Sequence, residues 1–423
     1  MKFVTDALFF IAGLGPMVMM PIMLFIIGLI LGVKLNSLIR SALLVGIGFA
    51  GINTMVGFFA NGVGPAIGQM VTIWGLRTDI MDVGWPARAA ATWAFPLAAV
   101  VILVVLAINI IMLAVRLTKC VMVDFWSYNH FVFTAAITWY LTNSVPLALI
   151  AAGLDAIISF KLADWTTPLV KDYFGLPDIS FPTSNSISWA PIAWLMEQIY
   201  ERIPGFRNLK ADPETIKNKL GFFGDPLFMG IVLGALIAIL GRQTFQNVLI
   251  IAMTTAAALV LIPRMMQILM EGLMPFADAV RVILSERFKG FTFTIGVDAA
   301  LTMANTSAIA VGVLVVPCTL ILAALLPGNR VLPLPDLAID AIWVAAWPVA
   351  FHKGNIVRGF LTTMICMVAV LLIATQLAPI QTQLAVSSGF KMPEGMTIVG
   401  SQDSGLHLIG YLISKLFSLF GKF

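Results

Sequence analysis

Long apolar runs broken by short polar turns make up most of this chain. The runs lie near 7–33, 41–60, 89–115, 130–160, 227–241, 245–262, 291–326, 338–351 and 355–378. About 20 successive apolar residues make a membrane-spanning helix, so the expected fold is an all-α polytopic membrane protein. Two runs are irregular. The 41–74 stretch carries Gly46, Gly48, Gly51, Asn53, Gly57, Asn61, Gly62, Gly64, Pro65 and Gly68. The 291–326 stretch carries Gly296, Asp298, Asn305, Thr306, Gly312 and Pro317 and is too long for one span. Both predict broken or re-entrant helices, which survive at membrane depth only where protein or a water-filled cavity satisfies the backbone. The plainer reading is close helix packing through glycine. The 7–33 run is too long for the apolar part of a signal peptide and reads as the first membrane helix.

Polar residues inside the apolar sequence recur. Asn53, Arg77, Asp82 and Trp93 are matched by Asn305, Arg330, Asp336 and Trp347. The Asn-to-Arg separation is 24 residues in the first set and 25 in the second, and Asp to Trp is 11 in both. Such spacing predicts two related halves with a site at their interface, as in internally duplicated transporters. The expected organisation is a first membrane half at 1–195, a polar cytoplasmic loop at 196–226, a second half at 227–405 and an amphipathic tail at 406–423. That tail reads as a short last span or an interfacial helix.

Composition agrees with the pattern. The 423 residues are 60% hydrophobic and 11% charged, and the mean hydropathy is +0.99. A soluble domain carries about a quarter charged residues. The net charge of +4 sits mostly in short loops and gives no sign of nucleic-acid binding. Arg202, Arg207, Lys210, Lys217 and Lys219 place their loop on the cytoplasmic side. Asp212 before Pro213 reads as the cap of a short surface helix, a docking point for a soluble partner. Cys120, Cys318 and Cys366 have no metal-ligand spacing and read as apolar packing residues.

Ionisable residues in membrane segments are costly and need a reason. Asp298 is the strongest candidate: a carboxylate between Lys289 and Arg330 with no other charge in between. It would bind a polyol hydroxyl or a proton, or else cap a helix. Asp155 reads as interfacial. Asp82 lies in an Asp-Val-Gly-Trp-Pro stretch, where it either caps a turn or joins Trp85 in binding a sugar-like face. His130 and His352 each precede an apolar helix. A neutral imidazole offers one donor and one acceptor to a hydroxyl and can accept its proton. For each the alternative is a helix cap. His407, in the tail, reads as structural. Asn305 and Thr306 follow Asp298 by about two helical turns and would share its face, with Asn53 as their counterpart in the first half. Arg77 and Arg330 read as loop charges. There is no phosphate loop, nucleophile elbow or zinc-protease motif, so neither a cofactor nor self-standing catalysis is expected.

Several separated motifs carry a resemblance. They are Gly46-Ile-Gly-Phe-Ala-Gly51, Asp82-Val-Gly-Trp-Pro86, Phe222-Phe-Gly-Asp-Pro226, Ile295-Gly-Val-Asp298, Pro327-Gly-Asn-Arg-Val-Leu-Pro333 and His352-Lys-Gly-Asn355. In this order they resemble the galactitol-specific EIIC family of the bacterial phosphotransferase system, over nearly the whole chain. The resemblance implies a multi-pass permease of the bacterial cytoplasmic membrane. It would take up galactitol or a related polyol while a cytoplasmic EIIB protein, charged on a cysteine through EIIA, phosphorylates it. The related ascorbate permeases imply a homodimer with inverted repeats, in which a core domain slides against a dimerisation domain. The residues at matching positions are Asp82, Trp85, His130, Asp298, Thr306, His352 and Asn355. Asn305 stands where a histidine is expected and Asn53 where a glycine is expected, which leaves a pentitol or another hexitol open as substrate. The rival readings are a proton-coupled secondary polyol carrier using Asp298, and a membrane enzyme acting on lipid-linked substrates. The second would want a metal or acid–base cluster that the sequence does not display.

Overall fold

A computed structural model of the chain describes residues 18–419, apart from 19–20, 23, 27, 30–31, 74, 76–79, 125, 208, 210, 212–225, 288–291, 334–336 and 388–396. Helices dominate, as the long apolar runs require. In chain order they are α1 Leu35–Ile73, α2 Gly84–Trp93, α3 Ala98–Ala114, α4 Tyr128–Thr142, α5 Val145–Phe174, α6 Ser184–Ile187 and α7 Ala190–Tyr200. Then come α8 Pro204–Arg207, α9 Pro226–Leu240, α10 Phe245–Arg287, α11 Thr306–Leu325, α12 Leu337–Phe351, α13 Ile356–Ser387 and α14 Leu408–Ser418. Among the described residues, α5, α11 and α13 are long and apolar enough to cross a membrane. The α2–α3 pair forms a further candidate, bent by 85°.

The chain is not purely helical. Among the described residues, six short strands form two parallel three-stranded sheets. β1 (Ile80–Asp82) lies between β5 (Val331–Leu332) and β6 (Val399–Gly400). β4 (Thr294–Gly296) lies between β2 (Cys120–Met122) and β3 (Ile179–Ser180). Each sheet thus takes its central strand from one part of the chain and its flanking strands from the other. The helical character expected from the sequence holds for most of the chain, and these short strands are what it did not foresee; the reason is backbone chemistry. Non-helical segments inside an apolar body must pair their N–H and C=O groups, and these pair with one another. Strands of two or three residues leave no periodicity in the sequence.

The two irregular runs turn out differently. The 291–326 run is broken: β4 leads into a 3₁₀ helix, Ala299–Ala304, and then α11. The 41–74 run is not; α1 continues through it, Pro65 included. Its glycines allow close packing on α10. A Cβ on Gly51 would meet Met265 Sδ at 2.5 Å, and one on Gly62 would meet Thr254 Cγ2 at 2.5 Å. The glycine-packing reading therefore holds for this stretch. Helices α1, α9 and α10 pack chiefly on each other.

The repeated spacing does not carry into local structure. Asn53 lies within α1, whereas Asn305 caps α11. Trp93 ends α2, whereas Trp347 lies in the middle of α12. Arg77 and Asp336 lie outside the described residues, as do most of 7–33 and the Asp212 cap. The tail is more deeply engaged than an interfacial helix would be. α14 packs on α4 and α5 and buries Gly410, Ile413 and Ser414. Phe131, Phe133, Phe160, Phe181, Trp189 and Trp347 fill the interior.

Candidate functional site

Carboxylates stand at the ends of both sheets. Asp82 closes β1; its Oδ1 accepts from Gly84 N at 2.9 Å and its Oδ2 from Gln402 N at 3.3 Å. Asp298 follows β4 and caps the 3₁₀ helix, accepting from Ala300 N at 2.8 Å. Both are buried. A third carboxylate, Asp124, follows β2 and accepts from Trp126 N (2.9 Å), Ser127 N (3.2 Å) and the Ser127 hydroxyl. That hydroxyl lies 3.1 Å from Thr183 Oγ1, which accepts from Ala299 N at 3.0 Å. A short polar chain therefore links Asp124 to the turn that carries Asp298. The two carboxylates also interact through their charges, and like charges in a buried place disfavour joint ionisation. Burial pushes the Asp124 carboxyl up to about 6, against its hydrogen bonds to Ser127 and Trp126.

His130 sits one turn further along, at the start of α4. Its Nδ1 lies 2.9 Å from His407 Nε2, and His407 Nδ1 lies 3.0 Å from Asp403 O. The 401–407 segment holds this corner together. Arg88 on α2 pairs with Asp403 (Nε to Oδ2, 2.5 Å) and also hydrogen-bonds Asn129 Oδ1. Asn185 Nδ2 reaches Asp403 Oδ1 at 3.4 Å, and Trp189 Nε1 donates to Leu406 O at 3.1 Å. Ion pairs this deeply buried (side chains of Arg88 and Asp403 at 3% and 7% exposure) persist only when hydrogen bonds meet both partners. Trp85 packs edge-on against Trp126, with ring centroids 6.0 Å apart.

Of the residues singled out in the sequence, Asp82, Trp85, His130 and Asp298 thus gather around 124–130, 183–189 and 401–407. Asn305 and Thr306 do not share a helix face with Asp298, because the 3₁₀ segment ends between them. Asp298 caps that segment and Asn305 caps α11, accepting from Ser307 N (3.0 Å), Ala308 N (3.1 Å) and the Tyr173 hydroxyl (3.2 Å). Thr306, half-buried, opens α11. The Asn53 side chain lies outside the described residues.

His352 and Asn355 belong to another cluster. His352 Nδ1 lies 2.6 Å from Glu197 Oε2, and its Nε2 lies 2.8 Å from Thr362 Oγ1. Arg358 pairs with Glu197 at 2.9 Å and with Glu201 at 2.8 Å. Asn355 accepts from Arg358 N (3.1 Å) and donates to Leu209 O (2.6 Å). This cluster ties the α12–α13 turn to α7 and the polar loop after it.

The sequence reading missed Arg88, Asp124, Asn129, Asn185, Gln402, Asp403 and the pairing role of His407. Arg88 had a usable signal, being a charge at the edge of the 89–115 apolar run. Asn129 opens α4 beside His130, and the others sit in short polar segments that look like loops until the fold closes.

The chain matches the family described as PTS system sugar-specific permease component (EIIC-GAT) over residues 10–395. It is 36% identical over 414 residues to the protein named PTS system galactitol-specific EIIC component of Escherichia coli (strain K12), covering 98% of this chain and 91% of that one. The same-named protein of Escherichia coli O157:H7 gives the same figures. A protein named Putative permease IIC component, from strain K12, is 35% identical over 410 residues, covering 97% and 93%.

Proposed function

The chain belongs to the family of sugar-specific permease components of the phosphotransferase system, and from that premise we propose that it takes up galactitol or a related polyol. A phosphorylated cytoplasmic EIIB partner would transfer phosphate to the polyol during uptake. The observation that carries this is the 36% identity to the galactitol-specific component, sustained over 98% of the chain. The chemistry of the buried site supports it. Asp82, Asp298, His130 and their partners supply carboxylate acceptors and an imidazole among aromatic rings, the set that a polyhydroxyl ligand needs. His352 and Asn355, joined to the polar loop after α7, are proposed to act on the cytoplasmic side of the same path.

We further read the chain as two inverted repeats in the bacterial cytoplasmic membrane, forming a homodimer. What supports the repeats is the strand exchange between the sheets, in which β1 lies between β5 and β6 as β4 lies between β2 and β3. The α1, α9 and α10 group, packed mainly on itself, is the candidate dimerisation domain, with the remaining helices as the mobile core.

The test is phosphoenolpyruvate-dependent phosphorylation of labelled galactitol by membranes containing this chain, with soluble carriers and EIIB added. Galactitol phosphate that disappears when EIIB is omitted is the expected result. Uptake of unmodified polyol that collapses with an uncoupler would overturn the group-translocation reading in favour of a secondary carrier. With neither, other hexitols and pentitols are assayed, and Asn53 and Asn305 are the first positions to vary.

A further inference from the structure

Gln402 is fully buried, and among the described residues its side-chain amide has no hydrogen-bond partner at either Nε2 or Oε1. Burying an amide without partners is costly, so a native structure rarely keeps one without a reason. The orphaned groups around it are not scattered. Ser401 Oγ, next in the chain, is likewise buried and unpaired. Gln381 Nε2 is unpaired while its Oε1 accepts from Ser404 at 3.2 Å. Asn185 Oδ1 is unpaired while its Nδ2 reaches Asp403. All four side chains therefore attach to one turn, residues 401–404, which Asp82 holds at the Gln402 backbone N–H and Arg88 holds at the Asp403 carboxylate.

The unmet groups are of mixed kind. Two are donors (Gln402 Nε2 and Gln381 Nε2), two are acceptors (Gln402 Oε1 and Asn185 Oδ1), and the serine hydroxyl is both. A phosphate or carboxylate ligand would be read by donors alone, and a cation by acceptors alone. A row of hydroxyls, each donating once and accepting from its neighbours, is the ligand that satisfies such a set. We propose that the 401–404 turn is the hydroxyl-reading part of the substrate site and that Gln402 is its specificity-determining residue, contacting one polyol hydroxyl through each face of its amide. The inference rests on the polyol-permease reading and deepens it. Position favours this too, since the turn lies between Asp82 and the His130–His407 pair.

The experiment measures equilibrium binding of labelled galactitol to the purified full chain in detergent, for wild type and Gln402→Leu. Leucine keeps most of the volume and removes the amide. The variant is expected to melt at or above the wild-type temperature, since no orphaned amide remains, and to bind galactitol at least about tenfold more weakly. A monodeoxygalactitol lacking the hydroxyl that Gln402 reads should bind the wild type about tenfold more weakly than galactitol does. It should bind Gln402→Leu as well as galactitol does. Gln402→Met serves as the second variant if leucine fails to fold. Galactitol affinity within twofold of wild type in a folded variant overturns the proposal and leaves the turn holding water only. If the wild type binds no hexitol or pentitol, the permease-substrate reading itself falls. If it binds galactitol but discriminates no deoxy derivative, only the role of Gln402 falls.

Discussion

His130 and His407, 277 residues apart in the chain, share one hydrogen bond, Nδ1 to Nε2 at 2.9 Å. The backbone decides how they share it. Asp403 O can only accept, so His407 Nδ1 is the atom that donates to it. With both rings neutral, His407 Nε2 then carries a lone pair and accepts from His130 Nδ1–H. His130 Nε2 is left as the acceptor of the pair. A buried imidazole oriented in this way suits the taking of a proton from a hydroxyl.

His130→Gln is therefore expected to lower EIIB-dependent phosphorylation of galactitol by about 10²-fold or more, the usual contribution of a general base. Binding should fall much less, since glutamine still offers a donor and an acceptor. Phosphorylation that stays intact in His130→Gln would end the proton-acceptor role for this residue.

Asp298→Asn separates a site carboxylate from a cap. Asparagine caps a helix start about as well as aspartate, so the bond from Ala300 N survives. The prediction is a melting temperature close to wild type with galactitol affinity reduced about tenfold or more, as expected when a buried hydrogen-bonding group of the site is replaced by one with a different donor and acceptor arrangement. If affinity is unchanged, Asp298 is a cap and nothing more.

Much of this architecture is readable in the sequence, and the boundary is physical. Apolar runs long enough to cross a membrane locate α11 and α13, whereas the 130–160 run covers α4 and only the first half of α5. The run through 291–326 announces its break by length and by Asp298. The short strands stay hidden because two or three residues cannot establish an alternation. The glycines of 41–74 misread as a break because spacing alone does not tell a bend from a close approach, and only Met265 and Thr254 across the interface decide it. Asp82, His130 and Asp298 are visible as ionisable residues beside or within apolar sequence. Their partners are not, because Asp124, Asn185 and 401–407 lie in polar turns that acquire burial only when distant parts of the chain meet.

The second cluster predicts a pH dependence of stability. Burial pushes the Glu197 carboxyl up, but the His352 hydrogen bond and the charges of His352 and Arg358 outweigh it and hold the group below its ordinary value of 4.5. Burial holds the His352 imidazole below its ordinary 6.5, only partly offset by Glu197. Both native pKa values are lower than the unfolded ones. Each contribution is therefore present above the unfolded pKa and lost as pH falls, that of His352 below 6.5 and that of Glu197 below 4.5. Thermal unfolding of the purified protein should show a melting temperature that drops between pH 7 and 5 in the wild type and is flatter there in His352→Gln. Parallel curves over that range would remove His352 from the account.

Gly410 tests how firmly the tail is built into the site. A Cβ at this position would lie 2.1 Å from Thr134 Oγ1, the hydroxyl that donates to Asp155 at 2.6 Å. One helical turn on, Ser414 Oγ meets Thr138 Oγ1 at 2.8 Å. α14 is thus pressed onto α4 along one face, and His407 is the residue immediately before it. Gly410→Ala must push α14 outward, because the atoms it meets are themselves held by Asp155. The expected cost is about 1–3 kcal/mol of stability from overpacking, together with loss of galactitol phosphorylation as His407 leaves His130. Ser414→Ala is the control: it removes the hydroxyl that meets Thr138 Oγ1 and donates to Gly410 O without adding volume, costs about 1 kcal/mol, and should leave phosphorylation largely intact. A Gly410→Ala protein with wild-type melting and activity would mean that α14 moves away from α4 without disturbing the histidine pair, and that the tail positions nothing in the site.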